Sequence, residues 1–130
     1  MIPSLWTMLL TIHLMITPPQ TQTTIKVYPR MKAKVTAYTC NYESTQKTRG
    51  SRDYCKTASG YVLSSRDSYR KIAADTRYYH FGQILHLDGI GDVEVVDTGG
   101  DIKGRDRFDL YIEDVTEARK FGVKELLYRQ

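Results

Sequence analysis

A mainly β fold, a small closed barrel of about six short strands with one short helix, is what this sequence predicts. Apolar and polar residues alternate over short runs, as in Ala33-Lys34-Val35-Thr36-Ala37 and Phe108-Asp109-Leu110-Tyr111-Ile112, which is the two-residue period of a strand with one buried face. Glycines at 60, 89, 91, 99, 100 and 104 punctuate these runs, as turns between strands require. Only one stretch, Asp114 to Gly122, carries both the start and the stop signals of a helix. Strands therefore do not alternate with helices as they would in a parallel α/β sheet.

Taken in order, Lys32 to Thr39 reads as the first strand, with Ala33, Val35 and Ala37 inward. A long polar loop, Cys40 to Ala58, comes next. Ser59-Gly60 then turns the chain into a short strand at Tyr61-Val62-Leu63, and Tyr69 to Asp75 reads as another strand, ending on a carboxylate. Gln83 to Asp88, the turn Gly89-Ile90-Gly91, and Asp92 to Asp97 form a hairpin, and Phe108 to Ile112 is the next strand. In the helix, Asp114 is the N-cap and Glu117 its capping-box partner; Ala118 and Phe121 face inward and Gly122 is the stop. Lys124 to Arg129 is a last strand.

The chain divides by charge. Met1 to Ile25 contains no Lys, Arg, Asp or Glu, so the net charge of +4 arises wholly downstream. A basic domain suits an acidic partner: nucleic acid, an anionic membrane surface or an anionic cell-wall polymer. Residues 1–20 form an apolar run closed by Thr17-Pro18-Pro19-Gln20, which reads as a signal peptide or membrane anchor. It lacks a positive n-region and a small-residue cleavage site, and at about 15 apolar residues it is short of the roughly 20 that span a bilayer. Residues 21–31 would be a linker and 32–130 the domain. This makes the protein exported, to the periplasm, cell envelope or medium, or held at a membrane by its N-terminus. Cys40 and Cys55 bracket a polar stretch where a core thiol would be out of place, so in an exported chain they read as a disulfide. Closing that loop of roughly 15 residues is worth about 3 kcal/mol on the chain-entropy model.

The chemistry concentrates between Val93 and Ile112, where a β-branched run enters Asp97 and a glycine-hinged loop leads to Asp109. A carboxyl half-buried at such a bend has its pKa pushed up by desolvation and by a second acid. Two acids held apart in pKa are what acid–base catalysis near neutrality needs. Other templates fail on spacing. A calcium loop starting at Asp97 would have Ile102 where glycine is required and Phe108 where glutamate is. Gly99 to Gly104 lacks the Gly-Lys-Ser/Thr order of a phosphate loop. His80 and His86 have no partners at zinc spacing, and a disulfide would consume any cysteine nucleophile. No metal or cofactor is expected. Tyr38, Tyr42, Tyr54 and Tyr61 are scattered without a basic stripe between them, which argues against nucleic acid and suits sugar rings.

Ala37-Tyr38-Thr39, Thr57-Ala58-Ser59-Gly60, Ala73-Ala74-Asp75, Gly82, Asp97-Thr98-Gly99-Gly100 with Ile102-Lys103-Gly104, Asp109-Leu110-Tyr111, and Glu117-Ala118 with Phe121-Gly122 occur in that order. Together they resemble the 3D domain, named for its three aspartates. The resemblance implies a six-stranded double-psi β-barrel like that of membrane-bound lytic murein transglycosylase A, with barwin-like and expansin-like relatives. It implies cleavage of the bond between N-acetylmuramic acid and N-acetylglucosamine in peptidoglycan by a monomer. Carried over, Asp109 is the acid–base, Asp97 assists by holding or by charge, and Asp75 shapes the far side of the groove. Tyr38, Thr39, Ser59, Thr98, Gly99, Gly100, Lys103 and Tyr111 would bind the glycan. Thr76 stands where the family usually has proline, the loop from Gly104 to Asp109 is one residue longer than in small members, and Asp101 adds a fourth carboxylate. Two other readings stand beside this one: a non-catalytic, expansin-like cell-wall glycan-binding module, and an aspartic protease suggested by Val96-Asp97-Thr98-Gly99.

Overall fold

The computed structural model describes residues 15–130, the side chains of Tyr42 and Glu43 excepted. Most of the expected export or anchoring segment thus lies outside the described residues. Residues 15–30 are exposed and carry no regular element. Among the described residues no helix is long and apolar enough to cross a membrane.

Six strands close into a barrel: β1 (Met31–Tyr38), β2 (Lys71–Ala73), β3 (Ile84–Leu87), β4 (Gly91–Asp97), β5 (Arg107–Tyr111) and β6 (Lys124–Arg129), ordered β1-β5-β2-β4-β3-β6. Two helices accompany them, a single turn α1 (Tyr42–Thr45) and α2 (Val115–Phe121). The mainly β, six-stranded barrel with one short helix is therefore what the chain forms, α1 being one added turn. β1 pairs parallel to β5 and β2 parallel to β4, and the two pairs join through the antiparallel β2–β5 contact.

The alternation that predicts strands also fills the barrel. Val35, Ile72, Val95, Phe108 and Leu110 point inward with no exposed surface, and Phe108 meets Tyr79 and Tyr128 edge-on at 5.3 and 5.0 Å. Those two tyrosines are buried without loss of hydrogen bonding: their hydroxyls lie 2.9 Å apart and both donate to the Arg105 carbonyl. A second cluster of Cys40, Leu63, Val96 and Tyr111 lies outside the barrel under the polar loop. The Cys40–Cys55 disulfide, with Cα atoms 5.1 Å apart, ties that loop over it.

The structure departs from the strand pattern twice. Tyr61 to Leu63 is no strand: Val62 makes only an isolated bridge to Lys56, and Leu63 is the anchor, dropping into the second cluster. The strand read at Tyr69 to Asp75 shrinks to Lys71–Ala73, because a 3-10 turn at Ser65–Asp67 and a left-handed Tyr69 (φ 62°) occupy its start. In α2 the Asp114 side chain accepts from Glu117 N at 2.8 Å and Gly122 stops the helix at φ 59°. The Glu117 carboxylate leaves the capping box and accepts from Tyr69 Oη at 3.4 Å.

Candidate functional site

The barrel's outer face carries a row of side chains across four strands. Thr36 of β1 is in register with Asp109 of β5, Asp109 with Ala73 of β2, and Ala73 with Asp97 of β4. Two strand spacings put the Cα atoms of Asp97 and Asp109 roughly 10 Å apart. Ala73, between them, presents only a methyl, so the space between the carboxyls stays open.

A register shift puts Asp97 in that row. Ile72 pairs with Val95, but the next residue, Ala73, pairs with Asp97, leaving Val96 as the extra residue of a bulge that re-aims the end of β4. The consecutive buried valines have this cause: Val95 packs in the barrel and Val96 in the second cluster.

The two carboxyls are held differently. Asp97 Oδ1 accepts from the backbone N–H groups of Ala58 and Thr98, both at 2.9 Å, so it is pinned between the polar loop and its own turn. Asp109 is pushed above the ordinary aspartate range by burial, first of all. The hydrogen bond from Thr36 Oγ1 at 2.9 Å and the charge of Arg107 oppose that rise, and Asp97 adds to it. Tyr38 stands beside both. Burial and then the two carboxylates hold its phenol far above the usual range; its hydroxyl, though turned toward Asp97, closes no hydrogen bond of ordinary length and angle.

Asp75 has another setting. Its carboxylate accepts from Arg77 Nε and Nη2, from Arg77 N at 3.1 Å and from Gly104 N at 2.8 Å. These donors, the Arg77 side chain first, hold it well below the ordinary range. Gly104, at φ 97°, turns its N–H onto this carboxylate. A carboxylate so saturated clamps the end of β2 to the 98–106 loop and has little proton affinity to offer.

Asp97 and Asp109 line a groove of about 360 Å³, to which the chain after β1 contributes Ser44, Thr45, Lys47, Lys56, Thr57 and Ala58 as a loop wall. A depression of about 470 Å³ beside Tyr69, Ile90 and Phe121 is larger, but it holds no facing acid pair, so chemistry rather than size selects the groove.

Of the residues singled out by sequence, Tyr38, Thr98 and Gly99 line the groove with the two aspartates. Asp75 does not. Thr39 is buried in the turn after β1, its hydroxyl accepting from Asn41 N. Ser59 is exposed beside Thr57, and Gly100 and Lys103 are exposed on the 98–106 loop. Tyr111 is buried in the second cluster, its ring 5.8 Å from that of Tyr38. Thr36 escapes the motif reading, although two-residue periodicity from Tyr38 places it on the same face. Lys47 and Lys56 carry no local signal, since the disulfide-closed loop alone brings them to the groove.

The family model of the 3D domain matches residues 70–127, from the turn before β2 through most of β6, with Asp75, Asp97 and Asp109 inside the match. The cell wall-binding protein YocH of Bacillus subtilis (strain 168) is 32% identical over 68 residues, which are 52% of this chain and 23% of that protein. The chain thus aligns with about a quarter of that relative's length. The likeness of this chain to the 3D domain family is thus carried by residues 70–127, which hold all three aspartates.

Proposed function

We propose that this protein is exported, associates with peptidoglycan, and cleaves its glycan strands as a lytic transglycosylase, without consuming water. Asp109 protonates the oxygen linking N-acetylmuramic acid to N-acetylglucosamine, and the C1–O bond breaks with oxocarbenium character at the muramic ring. Asp97, an anion pinned by two N–H groups, faces that developing positive charge. The Asp109 carboxylate then takes the proton of the muramic 6-hydroxyl, whose oxygen closes on C1 to give the 1,6-anhydro product, and the acid is regenerated. Asp75 acts as a positioning residue for the 98–106 loop. The observation that carries this reading is the raised proton affinity of Asp109 in an open groove opposite Asp97, since a general acid works best with a pKa near the operating pH.

A glycan-binding module is the second reading, favoured by the relative's being called a cell wall-binding protein. Incubation with insoluble peptidoglycan separates the two. The enzyme sediments with the wall and releases soluble fragments, and Asp109→Asn retains sedimentation while release falls about 100-fold or more. Sedimentation without release by the wild type would establish the binding module, and no sedimentation would exclude both.

A further inference from the structure

We propose that Lys47 and Lys56 form a carboxylate subsite in the groove, so that the preferred glycan strand bears a carboxylate near the bond served by Asp109. This inference rests on the glycan reading above. Both lysines line the same groove as Asp97 and Asp109, from its loop wall. That wall is built rather than incidental: Lys47 lies inside the loop closed by the Cys40–Cys55 bond and Lys56 directly follows Cys55. Lys47 Nζ donates to the Lys56 carbonyl at 3.3 Å, joining the two segments. An ammonium has three donors, so that bond leaves Lys47 two for a ligand. Lys56 is paired only loosely, at 3.8 Å, with an exposed Asp53 outside the groove lining.

A neutral strand in the groove would offer the two ammoniums hydroxyl and amide oxygens but no opposite charge, and hydrogen bonds to a charged acceptor are the stronger ones. A strand carrying a carboxylate supplies that charge, so the two cations favour it over a neutral strand of the same backbone. The charge count favours a single negative group. With Asp109 protonated, as its acid role requires, Lys47, Lys56 and Asp97 leave one positive charge in excess among the described groups lining the groove. A dianionic phosphate would bring surplus negative charge toward Asp97. In peptidoglycan the carboxylate could come from the lactyl group of a peptide-free muramic sugar or from the stem peptide.

The test is calorimetric titration of the Asp109→Asn protein, whose turnover is slowed about 100-fold or more on the reading above, with three soluble oligosaccharides of equal length. These are peptide-free glycan with free lactyl carboxylates, peptide-bearing glycan, and a chitooligosaccharide with the same backbone but no carboxylate. At least one carboxylate-bearing strand should bind about tenfold more tightly than the chitooligosaccharide, as for hydrogen bonds to a charged group; which one does so names the source. The preference should vanish in a Lys47→Gln, Lys56→Gln variant of unchanged circular dichroism, and weaken with added salt. Equal binding of all three, or a preference that the double variant keeps, overturns the subsite while leaving a glycan groove. Binding of none overturns the glycan reading and the subsite with it.

Discussion

Asp75, Asp97 and Asp109 look alike in the sequence, yet each meets a different environment, and the proton affinities of Asp75 and Asp109 are driven apart. Asp109 loses hydration without gaining a full ion pair and is raised; Asp75 gains Arg77 and Gly104 N and is lowered. The sequence makes the acid pair legible because Asp97 ends one strand and Asp109 sits inside another. It could not separate Asp75 from them, since the Arg77 fork and the Gly104 N–H are brought to it by folding. Replacing Thr36 by Val removes a donor that favours the charged form of Asp109, so its carboxyl should titrate at still higher pH, measurable by carbon-13 NMR with Asp97→Asn as a control for the neighbouring charge. For Asp75 the sign is the reverse. A depressed carboxylate stabilises the fold above the ordinary aspartate pKa of about 3.9, and that contribution is lost as pH falls from there toward the folded-state value. Thermal melts should show Asp75→Asn less stable than wild type at pH 7, with the gap closing in strong acid; an equal gap at both pH values would contradict the clamp.

Elements with a local signal are the ones the sequence reveals well. The β3–β4 hairpin declares itself by its glycine turn, and α2 by Asp114 and Gly122. The bulge at Val96 depends on pairing between distant segments, while the 3-10 turn before β2 and α1 are single turns held by local caps, Ser64 N on Asp67 Oδ2 at 2.8 Å and Ser44 N on Asn41 Oδ1 at 3.0 Å, too short to show a period. Asp97 reaches its place through the bulge and through the turn after it, where Gly99 leaves no room for a side chain. A Cβ there would come within 2.7 Å of Cγ1 of Ile102, which is buried and cannot swing away. Gly99→Ala should therefore cost about 1–3 kcal/mol as overpacking, read as a lowered midpoint in urea, and should disturb Asp97 more than Asp109. Asp114→Ala, which removes only the N-cap acceptor of α2, should cost about 1 kcal/mol and leave the groove unchanged.

At the scale of the molecule, the barrel and a disulfide-closed loop together line the groove. The 3D domain match spans residues 70–127, while the groove is completed by β1 and the loop after it. Reducing the Cys40–Cys55 bond should lower stability by about 3 kcal/mol on the chain-entropy model, seen as a shifted denaturant midpoint, while far-ultraviolet circular dichroism keeps the barrel's signature. An unchanged midpoint would mean that the second cluster alone holds the wall. That Asp109 first gives a proton to the glycosidic oxygen and then takes one from the muramic 6-hydroxyl is tested most directly by digesting purified peptidoglycan in heavy-oxygen water and weighing the muropeptides by mass spectrometry. Wild type should release 1,6-anhydro products free of heavy oxygen, and Asp109→Asn should lose them. Reducing-end products carrying one heavy oxygen, or anhydro products released as fast by Asp109→Asn, would contradict it.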